Sequence, residues 1–224
     1  MREVADLSQG HAGHVRVGAN PGVPEALVGA ACSTLLRDAP KVTLKATIGV
    51  MDFLAAALRS GELDLAVGGI AATPSEDLGH EHLLDDAFVV YASVNHRLAR
   101  RKQLTVSDLA QERWASADSS AAFQRLRRAF EERGLPSPRL AVESNATSVR
   151  FRAVAGSDLL GFTAKTHLRQ VARRFGLAEL PVKELSWQRG VGVSYRKDAY
   201  FSPAARRFIE ILKATAKEIA AEKP

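Results

Sequence analysis

The chain of 224 residues has a single cysteine, Cys32. One cysteine excludes an internal disulfide framework and fits a reducing compartment. No apolar run approaches the length needed to cross a membrane. The opening MREVADLSQGHAGH lacks the apolar stretch of a secretory signal. These absences read as those of a cytoplasmic protein. Enzyme signatures are missing too: there is no nucleophile elbow, no P-loop and no complete G-x-G-x-x-G. The six histidines are scattered. HEH at 80–82 follows the polar TPSEDLG and reads as a surface loop rather than a metal site, since no other ligand set accompanies it. Cys32 has no placed base beside it and reads as a small buried residue rather than a nucleophile. No catalytic residue, metal or cofactor is expected.

What is present is ordinary for a globular domain: 46% hydrophobic and 25% charged residues. The length allows one large domain or two small ones. The net charge is +6. Its carriers are spread over RLARRK (97–102), RLRR (125–128), ARR (172–174) and ARR (205–207), with no aromatic residues interleaved. That spread favours a solvated basic surface over direct nucleic-acid contact.

The pattern along the chain is that of two α/β units. Residues 1–13 read as a tail or linker remnant. HVRVGA (14–19) is strand-like, and Leu27, Ala31 and Leu35 mark a helix with Pro24 in its first turn. KVTLKATI (41–48) alternates as a strand does, Met51–Arg59 is a short helix stopped by Gly61, and LDLAVGG (63–69) is a buried strand ending on glycine. The order repeats with WASA (114–117), a helix carrying Phe123, Leu126 and Phe130, RLAVES (139–144), a helix from Thr147 to Ala155, DLLGFT (158–163), a helix with Leu168, Val171 and Phe175, and LAELPV (177–182). Ser119 or Ser120, and Thr147, are candidate helix caps. DAFVVYAS (86–93) and QRGVGVSYR (188–196) are the remaining strands. The last helix starts at Ser202-Pro203, with Phe208, Ile211, Leu212, Thr215 and Ile219 on its buried face. The reading is strand–helix–strand in each half, hence parallel sheets. Subdomain I would be 14–91 plus 188–224 and subdomain II 92–187. Two crossings, near Tyr91–Asn95 and Ser186–Gly190, would leave a cleft between the halves.

Five stretches resemble one family in order and spacing. LRSGELDLAVGG resembles the L…G.LDLAI signature of the effector-binding domain of LysR-type transcriptional regulators. HVRVGA is similar to the strand that opens that domain. VVYASVNHRLAR resembles its segment ending in HPLA, with Arg97 in place of proline. RLAVESNATSVRFRAVAGSDLLGFT and RKDAYFSPAARRFIEILK resemble its third region and closing helix. The SDLL form is closest to a branch that senses sugars or aromatic sulfonates. The likeness spans 14 to about 215. It implies two Rossmann-like subdomains joined by two crossover strands, like periplasmic binding proteins of the second type. It implies a small-molecule inducer held in the cleft, a homodimer or homotetramer using the first helix, second strand and last helix, and DNA contact through an N-terminal helix-turn-helix that these residues do not contain.

Loops at the strand C-terminal ends are the candidate site. They supply Asn20, Gly22, Gly49, Val50 and Gly68 in the first unit, and Ala117, Ser119, Ser120, Asn145, Thr147, Phe162 and Thr163 in the second. The family's ligand contacts map to Gly22, Val50, Asn145, Thr147 and Phe162. Helix N-termini there favour an anion. Many members carry a hydroxyl where this chain has Gly22 and Val50, and the related branch often has arginine where Phe123 stands. The expectation is therefore an aromatic or other part-apolar organic anion. Phe123 also fits the core stripe of its helix. The rival reading is a solute-binding protein for transport, which shares the fold and is told apart by what precedes this segment.

Overall fold

The computed structural model describes residues 11–70, 75–117 and 121–221. The chain divides into two compact units. One takes the chain up to Asp85 and again from Gly190, and the other runs Asp86–Arg189.

In the first unit β1 (Ala12–Ala19) is flanked by two parallel neighbours, β2 (Lys41–Ile48) and β3 (Leu65–Gly69). α1 (Val23–Asp38) and α2 (Met51–Arg59) make the crossovers. α1 buries Leu27, Val28, Ala31 and Leu35 at helical spacing, with Pro24 in its first turn. α2 buries Leu54, Ala57 and Leu58 and stops at Ser60, followed by Gly61 at φ +76°. β3 begins at Leu65, two residues later than the sequence suggests. Asp64 stands just ahead of it because its carboxylate is taken by Arg16: it accepts the Arg16 backbone N–H at 2.8 Å and the guanidinium Nη2 at 2.5 Å. β9 (Trp187–Arg196) closes this sheet antiparallel to β3, setting Val67 opposite Val193. α6 (Pro203–Ala221) packs beside α1. Ser202 caps it, accepting the Ala205 N–H at 3.2 Å. Its buried face is Ala204, Ala205, Phe208, Ile209, Leu212, Thr215 and Ala216. Ile211 and Ile219 are only half-buried, because the stripe follows a slightly different slope around the helix.

β4 (Leu78–Ser93) is twice the length the sequence suggests. HEH is therefore strand, not loop. His80 lies beside β9, its Nδ1 2.8 Å from Ser194 Oγ. The polar run hides a strand because β9 supplies a polar partner there.

The second unit starts where β4 turns apolar. β7 (Leu160–Ala164) and β8 (Leu177–Leu180) pair antiparallel with its Phe88–Ser93 portion. β5 (Arg113–Ser116) lies parallel between β6 (Arg139–Glu143) and β7. The crossovers are α3 (Ala121–Glu131), α4 (Thr147–Ala155) and α5 (Lys165–Phe175). Alternation along β4 feeds two cores. Val90 and Ala92 join Trp114, Phe123, Leu126 and Phe130 on one face. Val89 and Tyr91 join Phe151, Val154 and Leu168 on the other. Phe123 is fully buried and belongs to the core. Leu168 is buried, while Val171 and Phe175 are half-buried against it. Gly176, in the left-handed region at φ +65°, ends α5 as its position after Phe175 suggests.

Candidate functional site

In the first unit the parallel strands end together at Ala19, Ile48 and Gly69. Asn20 fastens these ends. Its Nδ2 donates to the Gly49 carbonyl at 2.9 Å, its Oδ1 accepts the Gly69 N–H at 3.4 Å, and its own N–H donates to the Val67 carbonyl at 3.0 Å. Gly68 makes that possible. A Cβ there would lie 2.5 Å from Asn20 Oδ1 and would also meet Met51 Sδ. Gly68, the first of the two glycines that stop LDLAVGG, thus leaves room for an asparagine clamp. Gly49 is confined in the same way, because a Cβ would lie 2.7 Å from Phe53.

Gly22 is the N-cap of α1 at φ +104°, where a side chain would be strained. Glu25 in the first turn of α1 and Asp52 in the first turn of α2 place acids at both helix starts. Val50, the N-cap of α2, has no capping side chain and is 44% exposed. Asn20, Gly49 and Gly68 are brought together here. The exposed surface beside them is apolar, with Val50, Ile48 and Phe53.

In the second unit β5, β6 and β7 end at one edge of the sheet. Ala117 follows β5 and is buried. Ser119 and Ser120 lie outside the described residues. The Ser144 N–H donates to the Ser116 carbonyl at 3.0 Å, tying the β6 loop to the end of β5. Asn145 is exposed. Thr147 does not cap α4. Ala146 holds the N-cap position and Thr147 is the first helical residue. The reason is Arg150, whose Nη2 lies 3.4 Å from Thr147 Oγ1 and whose Nη1 donates to the Ser144 carbonyl at 2.6 Å.

Phe162 and Thr163 are both buried and, being adjacent in β7, face opposite sides of the sheet. Phe162 stacks on Phe88 at 5.3 Å and meets Trp187 edge-on at 5.2 Å. Cations flank this row. Arg189 lies 4.5 Å over Phe88, and Arg125 4.6 Å over Trp187. Asp86 anchors the same edge: its Oδ1 accepts the Ala87 N–H at 2.8 Å, the Thr166 N–H at 3.2 Å and the Thr166 hydroxyl at 3.1 Å. Its Oδ2 is 3.6 Å from Arg189 Nη2. Burial pulls the Arg189 guanidinium below its usual range, opposed by the Asp86 charge.

Sequence reasoning missed Arg150, Asp86, Arg189 and Phe88. Arg150 carried a usable signal, an i,i+3 spacing from Thr147 at a helix start. The Asp86–Arg189 pair joins residues far apart in the chain, and no local pattern announces it. Among the described residues no group of three or more His, Cys, Asp or Glu side chains is placed to hold a metal. Cys32 is half-buried, and burial pushes its thiol up.

The chain matches the LysR substrate binding domain over residues 8–217. It belongs to that family. Among curated proteins it is 26% identical over 216 residues to the HTH-type transcriptional regulator GbpR of Azospirillum brasilense, covering 95% of this chain and 63% of that protein. It is 28% identical over 197 residues to the HTH-type transcriptional regulator GalR of Pseudomonas putida, covering 87% of this chain and 48% of that protein. The chain thus spans 63% and 48% of these relatives. Among solved structures, the CcmR regulatory domain of Synechocystis PCC6803 in complex with 2-PG superposes with a TM-score of 0.79 at 18% identity, covering 91% of this chain and 97% of that one. The effector binding domain of QuiR in complex with shikimate gives 0.76 at 17% identity, covering 92% and 98%. As a LysR substrate-binding domain, the chain has the two-unit α/β architecture that its sequence implies.

Proposed function

We propose that this LysR substrate-binding domain is the effector-sensing part of a transcriptional regulator. A small organic anion binds at the strand C-terminal edges of its units, through the loops that hold Asn20, Gly22, Gly49, Val50 and Gly68 and those that hold Ala117, Asn145, Thr147, Phe162 and Thr163. The family match over residues 8–217 carries the reading. The named regulators are longer than this chain, which leaves room for a DNA-binding segment. Two structural neighbours hold small molecules, 2-PG and shikimate. The domain acts as a homodimer or homotetramer in the cytoplasm, and it senses rather than catalyses. Leu36 on α1 and Ile48 on β2, 42% and 46% exposed, are apolar residues suited to cover by a second copy. Effector binding shifts the protein between conformations that differ in affinity for it, and that difference is what reaches DNA.

The test joins ligand screening to DNA binding. A thermal-shift screen of the domain with sugars, aromatic carboxylates and aromatic sulfonates identifies a stabilising compound. The same compound must alter binding of the full-length regulator to the promoter it controls. A compound that binds tightly but changes neither promoter binding nor transcription refutes the sensing role. Regulation rather than transport is also what the curated relatives' names support.

A further inference from the structure

Arg150 differs from two other partly buried arginines. Arg16 is held by Asp64 and Arg189 by Asp86. Among the described residues Arg150 makes no ion pair. It is fixed instead by neutral oxygens, the Ser144 carbonyl and the Thr147 hydroxyl. Those two contacts use two of its five N–H donors. Burial lowers the guanidinium's proton affinity, but it stays charged at neutral pH. A partly buried charge is normally paired, and here the pairing is left to something else.

Two features point to an anion. α4 begins beside Arg150 with no acid in its first turn and no capping side chain, so its first N–H groups are uncovered by acids of its own first turn. This differs from α1 and α2, where Glu25 and Asp52 stand at the start. Independently, the Tyr91 hydroxyl is fully buried, has no hydrogen-bond partner among the described residues, and lies within electrostatic reach of Arg150. Its ring is seated over Gly161, where a Cβ would collide with it, and against the edge of Phe151, 5.3 Å away. The packing fixes a donor with nothing to donate to.

We propose that Arg150, with Thr147, Tyr91 and the first N–H groups of α4, is the oxyanion-recognition point of the second unit. It takes the terminal carboxylate, sulfonate or phosphate of the effector. The proposal rests on the sensing reading and specifies which atoms of the effector that edge recognises. A planar or tetrahedral oxyanion matches the guanidinium fork, and no carboxylate of the described residues is paired with it. Asn145, exposed in the same loop, sits at the rim.

The experiment titrates sodium sulfate against the protein by thermal shift and calorimetry, with sodium chloride at matched ionic strength as reference. The variants are Arg150→Gln, Arg150→Lys, Tyr91→Phe and, as a surface control, Arg113→Gln. The expected result is sulfate-specific binding in wild type and Arg113→Gln, weakened about tenfold or more in Arg150→Gln and by less in Arg150→Lys and Tyr91→Phe. Circular dichroism establishes that each variant is folded, and Arg150→Lys keeps the test open if Arg150→Gln is not. Sulfate binding that is equal in wild type and the folded Arg150 variants is adventitious and overturns the proposal, as does no sulfate binding at all. A screen of organic acids with their neutral amides separates sources. An acid that binds through Arg150 while its amide does not supports an effector oxyanion. A neutral compound that binds wild type and Arg150→Gln alike, and still alters promoter binding, overturns the proposal while leaving the sensing role intact.

Discussion

Gly68→Ala tests whether the glycine near the end of β3 makes room for Asn20. The new Cβ would lie 2.5 Å from Asn20 Oδ1 and would meet Met51 Sδ. The methionine can swing away at small cost, since it is unbranched. Asn20 cannot, because its side chain is bonded to the Gly49 carbonyl and the Gly69 N–H. Displacing it forfeits two hydrogen bonds of about 0.5–1.5 kcal/mol each, and overpacking adds about 1–3 kcal/mol. The expected loss is about 3 kcal/mol, which lowers Tm by roughly 6–12 °C for a chain of this size. Urea denaturation followed by circular dichroism reads it, with thermal melting as a second measure. Gly29→Ala is the control: Gly29 lies on the exposed face of α1 with nothing within 4 Å of an added Cβ. It should stabilise by about 0.5–1 kcal/mol. In an Asn20→Ala background the Gly68→Ala cost should shrink, since the two substitutions share one contact. A Gly68→Ala protein within about 0.5 kcal/mol of wild type, or full additivity with Asn20→Ala, would refute the clamp.

Asp86→Ala should cost about 3–5 kcal/mol by denaturant melts, because it strands the buried Arg189 and uncaps Thr166. Replacing Asp86 and Arg189 together with apolar residues should cost less than Asp86→Ala alone. Gly161→Ala, which drives a Cβ into the Tyr91 ring, should destabilise by about 1–3 kcal/mol. Burial raises the Tyr91 hydroxyl well above its ordinary range near pH 10. The unfolded chain therefore ionises first, so this group's contribution is intact below about pH 10 and falls by about 1.4 kcal/mol per unit above it. Tyr91→Phe should flatten that alkaline slope in pH-dependent urea melts and leave neutral-pH stability within about 0.5 kcal/mol. Val50→Glu should leave the melting temperature unchanged and, with Asn145→Ala, diminish the shift caused by an effector. Ile48→Asp should lower the molecular mass seen by sedimentation if β2 lies at a contact between copies.

The fold was legible where one local rule acts alone. Leu27, Ala31 and Leu35 set α1, Gly61 and Gly176 stop α2 and α5, and Ser202-Pro203 starts α6. It was hidden where a distant partner decides. HEH looked too polar for a strand because the mate of His80 is Ser194. Thr147 resembled a cap because nothing nearby shows Arg150 claiming its hydroxyl. The strand-end loops could be placed from the glycines, yet the charges among them could not. Asp86 and Arg189 meet only when two strands separated by most of a unit come side by side.

The discontinuity of the first unit bears on how the polypeptide is made. β3 waits for β9 to complete its outer pairing, since Val67 must find Val193 and Ala66 must find Ser194. α1 waits in the same way for α6. Asp86–Arg189, by contrast, is one uninterrupted run. As the chain leaves the ribosome, that run can finish before the segment synthesised ahead of it. Such distant pairings are slow to form, and meanwhile β3 presents an unpaired edge of Leu65, Ala66 and Val67. Truncation within the final strand or helix should therefore harm β1–β3 of the first unit more than the later-made run Asp86–Arg189.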